Sequence, residues 1–350
     1  MATRSQLQRR KADHLELCSS DQVEFRGRGT LLEDVQLLHQ ALPELSCDDI
    51  DLGVELLGKE LRAPLVIASM TGGTREAAEV NFELSRIAEE RGYGFGLGSQ
   101  RAMQRQPETA WTYKVRAHAP STLLLGNVGV VQARDTDTGA LRELIDATGV
   151  DALCVHMNPA MELIQAGGDR DFRGCIDTFA RLVHELSVPI VAKETGCGIS
   201  RQTAHSIRRA GVEQVDVSGA GGTSWIGVET LRAHGQARSV GELLWDWGIP
   251  TAATICYAVE CGLRVIATGG IRTGLDVARA IALGADAAGM ARPVLEALKK
   301  HGRQGANRLL DQVERELRTI MLLCGAATLH DLRLAPRLLM GELRQWLAVR

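Results

Sequence analysis

Eight short apolar runs, each ending in polar or glycine residues and each followed by a helix-length segment, constrain this chain more than any other feature. They are PLVIAS (64–69), YGFGLGS (93–99), TLLLGNVG (122–129), ALCVHMN (152–158), PIVAKET (189–195), QVDVSG (214–219), RVIATGG (264–270) and DAAGMAR (286–292). None needs the apolar–polar alternation of a strand with one wet face, so they read as parallel strands buried on both faces. The segments between them, such as REAAEVNFELSRIAEERG and GLDVARAIALGAD, carry apolar residues at helical spacing and close on glycine. Eight strand-then-helix units predict an α/β chain folded as a (β/α)8 TIM barrel. The rival is a doubly wound open sheet, which usually has fewer strands.

The 350 residues, 45% hydrophobic, exceed the roughly 250 that a barrel needs. The excess divides into an N-terminal arm and lead-in over residues 1–60 and a C-terminal helical extension closing the barrel domain, 61–350. A second excess, GGTSWIGVETLRAHGQARSVGELLWDWGIP, separates the sixth and seventh runs. Insertions of that length are usually lids or binding loops. The net charge of −3 argues against nucleic acid as a partner. No apolar run approaches the roughly 18 residues of a membrane span. The eight cysteines form no CxxC pair and read as the reduced thiols of a cytoplasmic protein.

Polar residues collect at the carboxyl ends of the runs: Ser69-Met70-Thr71, Ser99-Gln100-Arg101, Asn127, His156 and Asn158, Lys193 and Glu194, Ser218, Arg272. In a barrel these ends converge on one rim, where active sites sit. Three glycine-rich turns lie there as well: MTGG (70–73), SGAGGTSW (218–225) and TGGIRTG (268–274). Any one of them is explained by a tight turn. TGGIRTG after strand seven and GMARP (289–293) after strand eight together point to a phosphate, held by backbone N–H groups and a helix amino terminus with Arg272 as a charged clamp. Lys193 allows three readings: contact with the N1–C2 edge of a flavin, a Schiff base, or an ion pair with Glu194.

With these residues in view, the chain resembles the type 2 isopentenyl-diphosphate isomerases, which are FMN-dependent barrels. The matching stretches run in order from RRKADH (9–14) through MTGG, GSQR (98–101), GNVG (126–129), HMN (156–158), KETGCGIS (193–200), DVSGAGGTSW (216–225), WDWGIPT (245–251) and ATGGIRTGLDVARAIALGAD (267–286) to GELRQWL (341–347). The glycine turns are shared more loosely with FMN-dependent hydroxy-acid oxidases. The resemblance implies FMN contacts from Met70, Thr71, Gly72, Ser99, Asn127, Lys193, Ser218, Thr223, Gly269, Gly270, Arg272 and Ala291. It further implies that Arg10, Lys11, His14 and Arg101 bind isopentenyl or dimethylallyl diphosphate, that His156 and Asn158 stand at the reacting carbons, and that Glu162 holds Mg2+. NADPH or another reductant for the flavin, a role in isoprenoid biosynthesis and a homo-oligomer, tetramer or larger, follow from the same likeness. For RRKADH the residues alone allow either a solvated basic tail or a mobile arm closing over the site.

One position departs from the family. Its strand-to-helix turn reads H-x-N-x-x-Q-E, whereas this chain has Met161 where the glutamine belongs, within His156-Met157-Asn158-Pro159-Ala160-Met161-Glu162. The following Pro-Glu-Gly-Asp is Ala166-Gly167-Gly168-Asp169. If the glutamine only orients, methionine is tolerated; if it relays a proton, a thioether cannot replace it. The expectations are an active isomerase, a degenerate paralogue that binds FMN and an isoprenoid diphosphate without isomerising it, or an FMN oxidoreductase of the hydroxy-acid oxidase type.

Overall fold

The eight runs form a closed parallel barrel in chain order: β1 (Leu65–Ile67), β2 (Gly94–Gly96), β3 (Leu123–Gly129), β4 (Ala152–Met157), β5 (Ile190–Glu194), β6 (Gln214–Asp216), β7 (Arg264–Ala267) and β8 (Ala287–Met290). The computed structural model describes residues 4–349, with the side chains of 4–9 and of Ala12 outside the description. Arg9 of the basic cluster therefore lies outside the described side chains.

Alternate positions on the strands face opposite ways. Phe95, Leu124, Val155, Val215 and Val265 belong to the larger core, shared with the helices, while Val66, Leu123, Leu125, Ala152, Cys154, Val191, Ile266 and Ala287 form a separate buried cluster. The latter is the barrel interior, and Leu56 and Leu61 of an antiparallel hairpin (Val54–Leu56 with Lys59–Leu61) join it as a plug. Two residues further along β3, β4, β5 and β7 stand Asn127, His156, Lys193 and Thr268, while β6 is already polar on this face, with Gln214 and then Asp216, both buried. The period of two thus carries the inward set from apolar to polar at the carboxyl mouth.

The lead-in is tied down at Val35–Leu37, which pairs antiparallel with Arg337–Leu339 of the C-terminal extension. The extension is otherwise helical, with Arg292–Leu323 broken at Gly302 (φ 62°), Leu329–Leu334 and Gly341–Ala348. The insertion after β6 is built largely from two helices, Trp225–Arg232 and Gly235–Leu243, ahead of the barrel helix Thr251–Glu260. Ile226 and Val228 are buried beneath the first, and buried Trp245 beyond the second donates its indole N–H to the Glu24 carbonyl. Asp246 accepts from the backbone N–H groups of Arg26 and Gly27 (2.7 and 2.9 Å). The segment is therefore a platform against which the lead-in packs.

RRKADH is not a solvated tail; it takes the place over the site that the alternative of a closing arm gave it. It lies within a helix, Arg4–Leu17, docked across the mouth. Arg10, Lys11, His14, Leu15 and Cys18 fall at i, i+1, i+4, i+5 and i+8, one face of a helix, and all five line the central cavity. Asp13 pairs with Arg232 (3.0 Å) and His14 with the buried Glu229 (2.7 Å), which fixes the arm to the insertion.

Candidate active site

The mouth encloses a cavity of about 460 Å³, within the few hundred to a thousand Å³ usual for ligand sites. Arg10, Lys11, His14, Met70, Thr71, Ser99, Arg101, Asn127, His156, Asn158, Met161, Glu162, Lys193, Ser218, Thr223, Gly269, Gly270, Arg272 and Ala291 all line it. Gly72 does not. The space of a side chain at Gly72 is filled by the Tyr113 ring, so this glycine is required for packing behind the site.

At one end of the cavity cations gather without enough counter-charge. Arg10 and Arg101 each bury an Nε–H that has no partner among the described residues, and Arg101 lies 3.7 Å from the carboxylate of Asp169. Burial, with Arg10 and Arg101 adding to it, pushes the Lys11 ammonium down to about 8. Unpaired buried donors are costly unless something meets them, and an anionic ligand fits that need.

Glu162 faces this group from the short helix Pro159–Ile164, buried. Its Oε1 accepts from Asn158 Nδ2 (3.1 Å), and Oε2 accepts from Gln165 Nε2 (3.2 Å) and the Asp169 backbone N–H (2.8 Å). The last bond depends on Gly168, where a Cβ would collide with the Glu162 carbonyl, so the departure at 166–169 closes tightly over the carboxylate. The Asn158 amide is shared with Met161, whose sulfur lies 3.6 Å from it.

His156 is buried at the rim, and its pKa is driven down to about 3, first by burial and then by Lys193, Lys11 and Arg101. It is a neutral imidazole. Nδ1 sits 2.7 Å from Asn127 Oδ1, a carbonyl acceptor, which places the proton on Nδ1 and leaves Nε2 as an acceptor.

Lys193 does not pair with Glu194. Its Nζ lies 2.7 Å from Asp216 Oδ2, the pair being buried inside the barrel, while Glu194, next along β5, faces the other way. There one oxygen of Glu194 accepts from the backbone N–H groups of Thr195, Gly196, Cys197 and Gly198 (2.5–3.1 Å). Burial still raises the Glu194 carboxyl to about 7, against those four donors. The pairing holds the Lys193 amine against Asp216.

The end of the cavity expected to hold a phosphate differs in detail from the expectation. The helix Gly274–Ala282 is closed by its own capping box, with Asp276 taking the N–H groups of Arg272 and Thr273. The helix beginning at Arg292 has no side-chain cap, and its first turn lines the cavity beside Gly269 and Gly270. A helix start of this kind presents free N–H groups to an anion. Gly270, at φ 79° and crowded against Gly221, allows the two glycine turns to touch. The Arg272 guanidinium is half-exposed and bonded to Glu24 (2.7 Å), which also takes Arg292 (2.8 Å).

The model of the FMN-dependent dehydrogenase family matches residues 3–161 and 156–338. An isopentenyl-diphosphate delta-isomerase of Methanothermobacter thermautotrophicus is 45% identical over 340 residues, covering 97% of this chain and 95% of that one. The chain belongs to the type 2 isopentenyl-diphosphate isomerase family. A second isomerase, from Methanosarcina barkeri, is 44% identical over 98% of this chain and 94% of its own length. Among solved structures a mandelate oxidase mutant with an FMN adduct superposes at a TM-score of 0.65 with 18% identity, over 93% of this chain and 95% of that one, a likeness of fold.

Within this isomerase-family site, several residues escaped the sequence reading. Glu229 and Arg232 hold the arm, Trp225 packs edge-on to His14 at 5.3 Å, and Asp216, level with Lys193 and paired to it, takes the hydroxyl of Thr268. Asp216 carried a local signal, a charge inside an otherwise apolar strand run, and Trp225 and Thr268 stood within the glycine-rich turns; Glu229 and Arg232 had none. The engagement of Arg272 also resizes its role. Arg272→Ala is expected to weaken FMN by no more than about 1 kcal/mol, the range of an exposed ion pair, in a fluorescence titration with FMN. A loss of several kcal/mol would return the guanidinium to the phosphate.

Proposed function

We propose that this chain is an FMN-dependent isomerase that interconverts isopentenyl diphosphate and dimethylallyl diphosphate in isoprenoid biosynthesis. The observation that carries the reading is the cation set Arg10, Lys11 and Arg101, with the Nε–H groups of both arginines unpartnered among the described residues, on the same cavity as the buried carboxylate Glu162. A diphosphate satisfies the buried guanidinium donors. Among the described residues no three His, Cys, Asp or Glu side chains gather to hold a metal. A Mg2+ held by Glu162, water and the phosphate oxygens needs no such cage.

FMN fits the rest of the cavity. Gly269, Gly270, Ala291 and the open helix start at Arg292 would take its phosphate, Lys193 the N1–C2 edge of its ring, and Met70, Thr71, Ser99, Asn127, Ser218 and Thr223 its remaining surface. When bound and reduced, with NADPH or another reductant as the electron source, FMN supplies the acid–base group that an unactivated alkene requires. The isomerisation is redox-neutral: one proton arrives at one carbon and another leaves. The part of the chain itself is placement and exclusion of water. The arm helix, latched by Asp13 and His14, covers the mouth; the cations and Glu162 hold the diphosphate; neutral His156 and Asn158 bound the reacting end.

The test is to incubate FMN-loaded, reduced protein with isopentenyl diphosphate and Mg2+ and to look for the dimethylallyl isomer. Flavin and diphosphate binding without conversion would leave the degenerate-paralogue reading, and oxidation of a 2-hydroxy acid would favour the oxidase type. A pH profile gives a second check. Lys11 is charged below about 8 in the free protein, so kcat/KM for the diphosphate should fall as pH rises through that value. In Lys11→Arg the limb should vanish, because arginine keeps its charge; a limb retained there would assign it elsewhere.

We further assign the protein to the cytoplasm as a homo-oligomer, tetramer or larger. All eight cysteines are free, which suits a reducing compartment. Leu243 and Trp247 of the insertion are 83% and 62% exposed, which suits a subunit contact. Light scattering of the purified protein measures the assembly.

A further inference from the structure

Asp216 is buried in the barrel mouth but is not among the residues that line the cavity, so it does not itself touch a ligand held there. Its two oxygens are both used: Oδ2 lies 2.7 Å from Lys193 Nζ, and Oδ1 accepts from the Thr268 hydroxyl. The register of β5 and β6 sets Lys193 directly opposite Asp216. Below them the interior is Val191, Cys154 and Ile266 together with the buried amide of Gln214, which stands opposite Val191, and none of these is an anion. Among the described residues Asp216 is the one ion-pair partner of Lys193. An ammonium has three N–H donors, so two remain for the cavity that Lys193 does line.

We propose that Asp216 is a positioning residue which, through Lys193, sets the reduction potential of the bound flavin. This rests on the FMN reading above. Asp216 does two things at once. It holds the end of a flexible four-carbon stem at one point of the wall. It also cancels part of the charge that the lysine presents, in surroundings of low dielectric where a bare cation acts strongly. Reduction adds negative charge at the N1–C2 edge of a flavin. A lysine relieved of its carboxylate therefore favours the reduced form, and a lysine more completely neutralised favours it less. Thr268 enters with the opposite sign: its hydroxyl draws charge away from the carboxylate, and losing it leaves Asp216 a stronger counter-charge.

The experiment is to measure the midpoint potential of FMN bound to the full-length protein and to four variants: Asp216→Asn, Lys193→Met, the double variant, and Thr268→Val. Asp216→Asn should raise the potential, with a change of ~10-fold in the ratio of reduced to oxidised FMN affinity, equal to ~30 mV for a two-electron couple. In the Lys193→Met background the same replacement should produce no rise. Thr268→Val, which keeps the side-chain shape, should lower the potential, and it decides the matter if Asp216→Asn does not fold. An Asp216→Asn potential unmoved or lowered, a rise that persists without Lys193, or a Thr268→Val potential equal to wild type would overturn the proposal while FMN still binds. Failure of the wild-type protein to take up FMN would instead remove the flavin reading itself.

Discussion

Glu162→Gln is expected to lower isomerisation by at least ~100-fold at ordinary Mg2+ and to raise the metal requirement steeply, with FMN still bound. Replacing a group that only supports a metal ligand typically costs 10–100-fold, and removal of the ligand's own charge should cost no less. The carboxylate is buried and accepts from three donors, Asn158 Nδ2, Gln165 Nε2 and the Asp169 backbone N–H. An amide of the same shape keeps an acceptor on one side but turns an NH2 toward a donor on the other, so some stability is lost as well. Thermal unfolding and FMN titration of the variant separate that loss from the metal effect. Near-normal activity with an unchanged Mg2+ response would make Glu162 simply the acceptor that closes the turn at 166–169.

Met161→Gln is expected to act in the opposite direction, raising isomerisation by ~10-fold or more, which corresponds to ~1.4 kcal/mol of transition-state stabilisation. Met161 lines the cavity one residue before Glu162, with its sulfur 3.6 Å from the Asn158 amide. Glutamine fills nearly the same volume and supplies a donor and an acceptor where the thioether has only a weak acceptor. The assay is formation of dimethylallyl diphosphate with reduced flavin at saturating Mg2+. Equal or lower activity would mean that the site has been rebuilt around the thioether, with Asn158 turned to it, and that the substrate of the family need not be its own.

What could be read along the chain was whatever depends on local period. Parallel strands buried on both faces need apolar runs, and alternation within those runs carries Asn127, His156 and Lys193 to the inner mouth, so barrel, rim and most cavity residues were legible. Family motifs added the arm, Glu162 and the anomaly at Met161. A local pattern says which way a side chain faces, not what it meets across a gap set by strand register, loop path or capping. Lys193 found Asp216 on the next strand because neighbours on one strand, such as Glu194, point to opposite faces. The glycine turn after β7 looked like the open helix start, but Asp276 caps that helix, and the start without a side-chain cap is the one at Arg292, where Ala291 holds the capping position. Gly72 looked like part of a binding turn until Tyr113 occupied the space beside it. Arg10, Lys11 and His14 became a docked face only because Glu229 and Arg232, more than 200 residues away in sequence, supply the charges that hold the arm. Sequence alone determined the barrel, its polar rim and its family; tertiary packing decided the partners, because an ion pair or a close contact between distant segments exists only once the chain has brought them together.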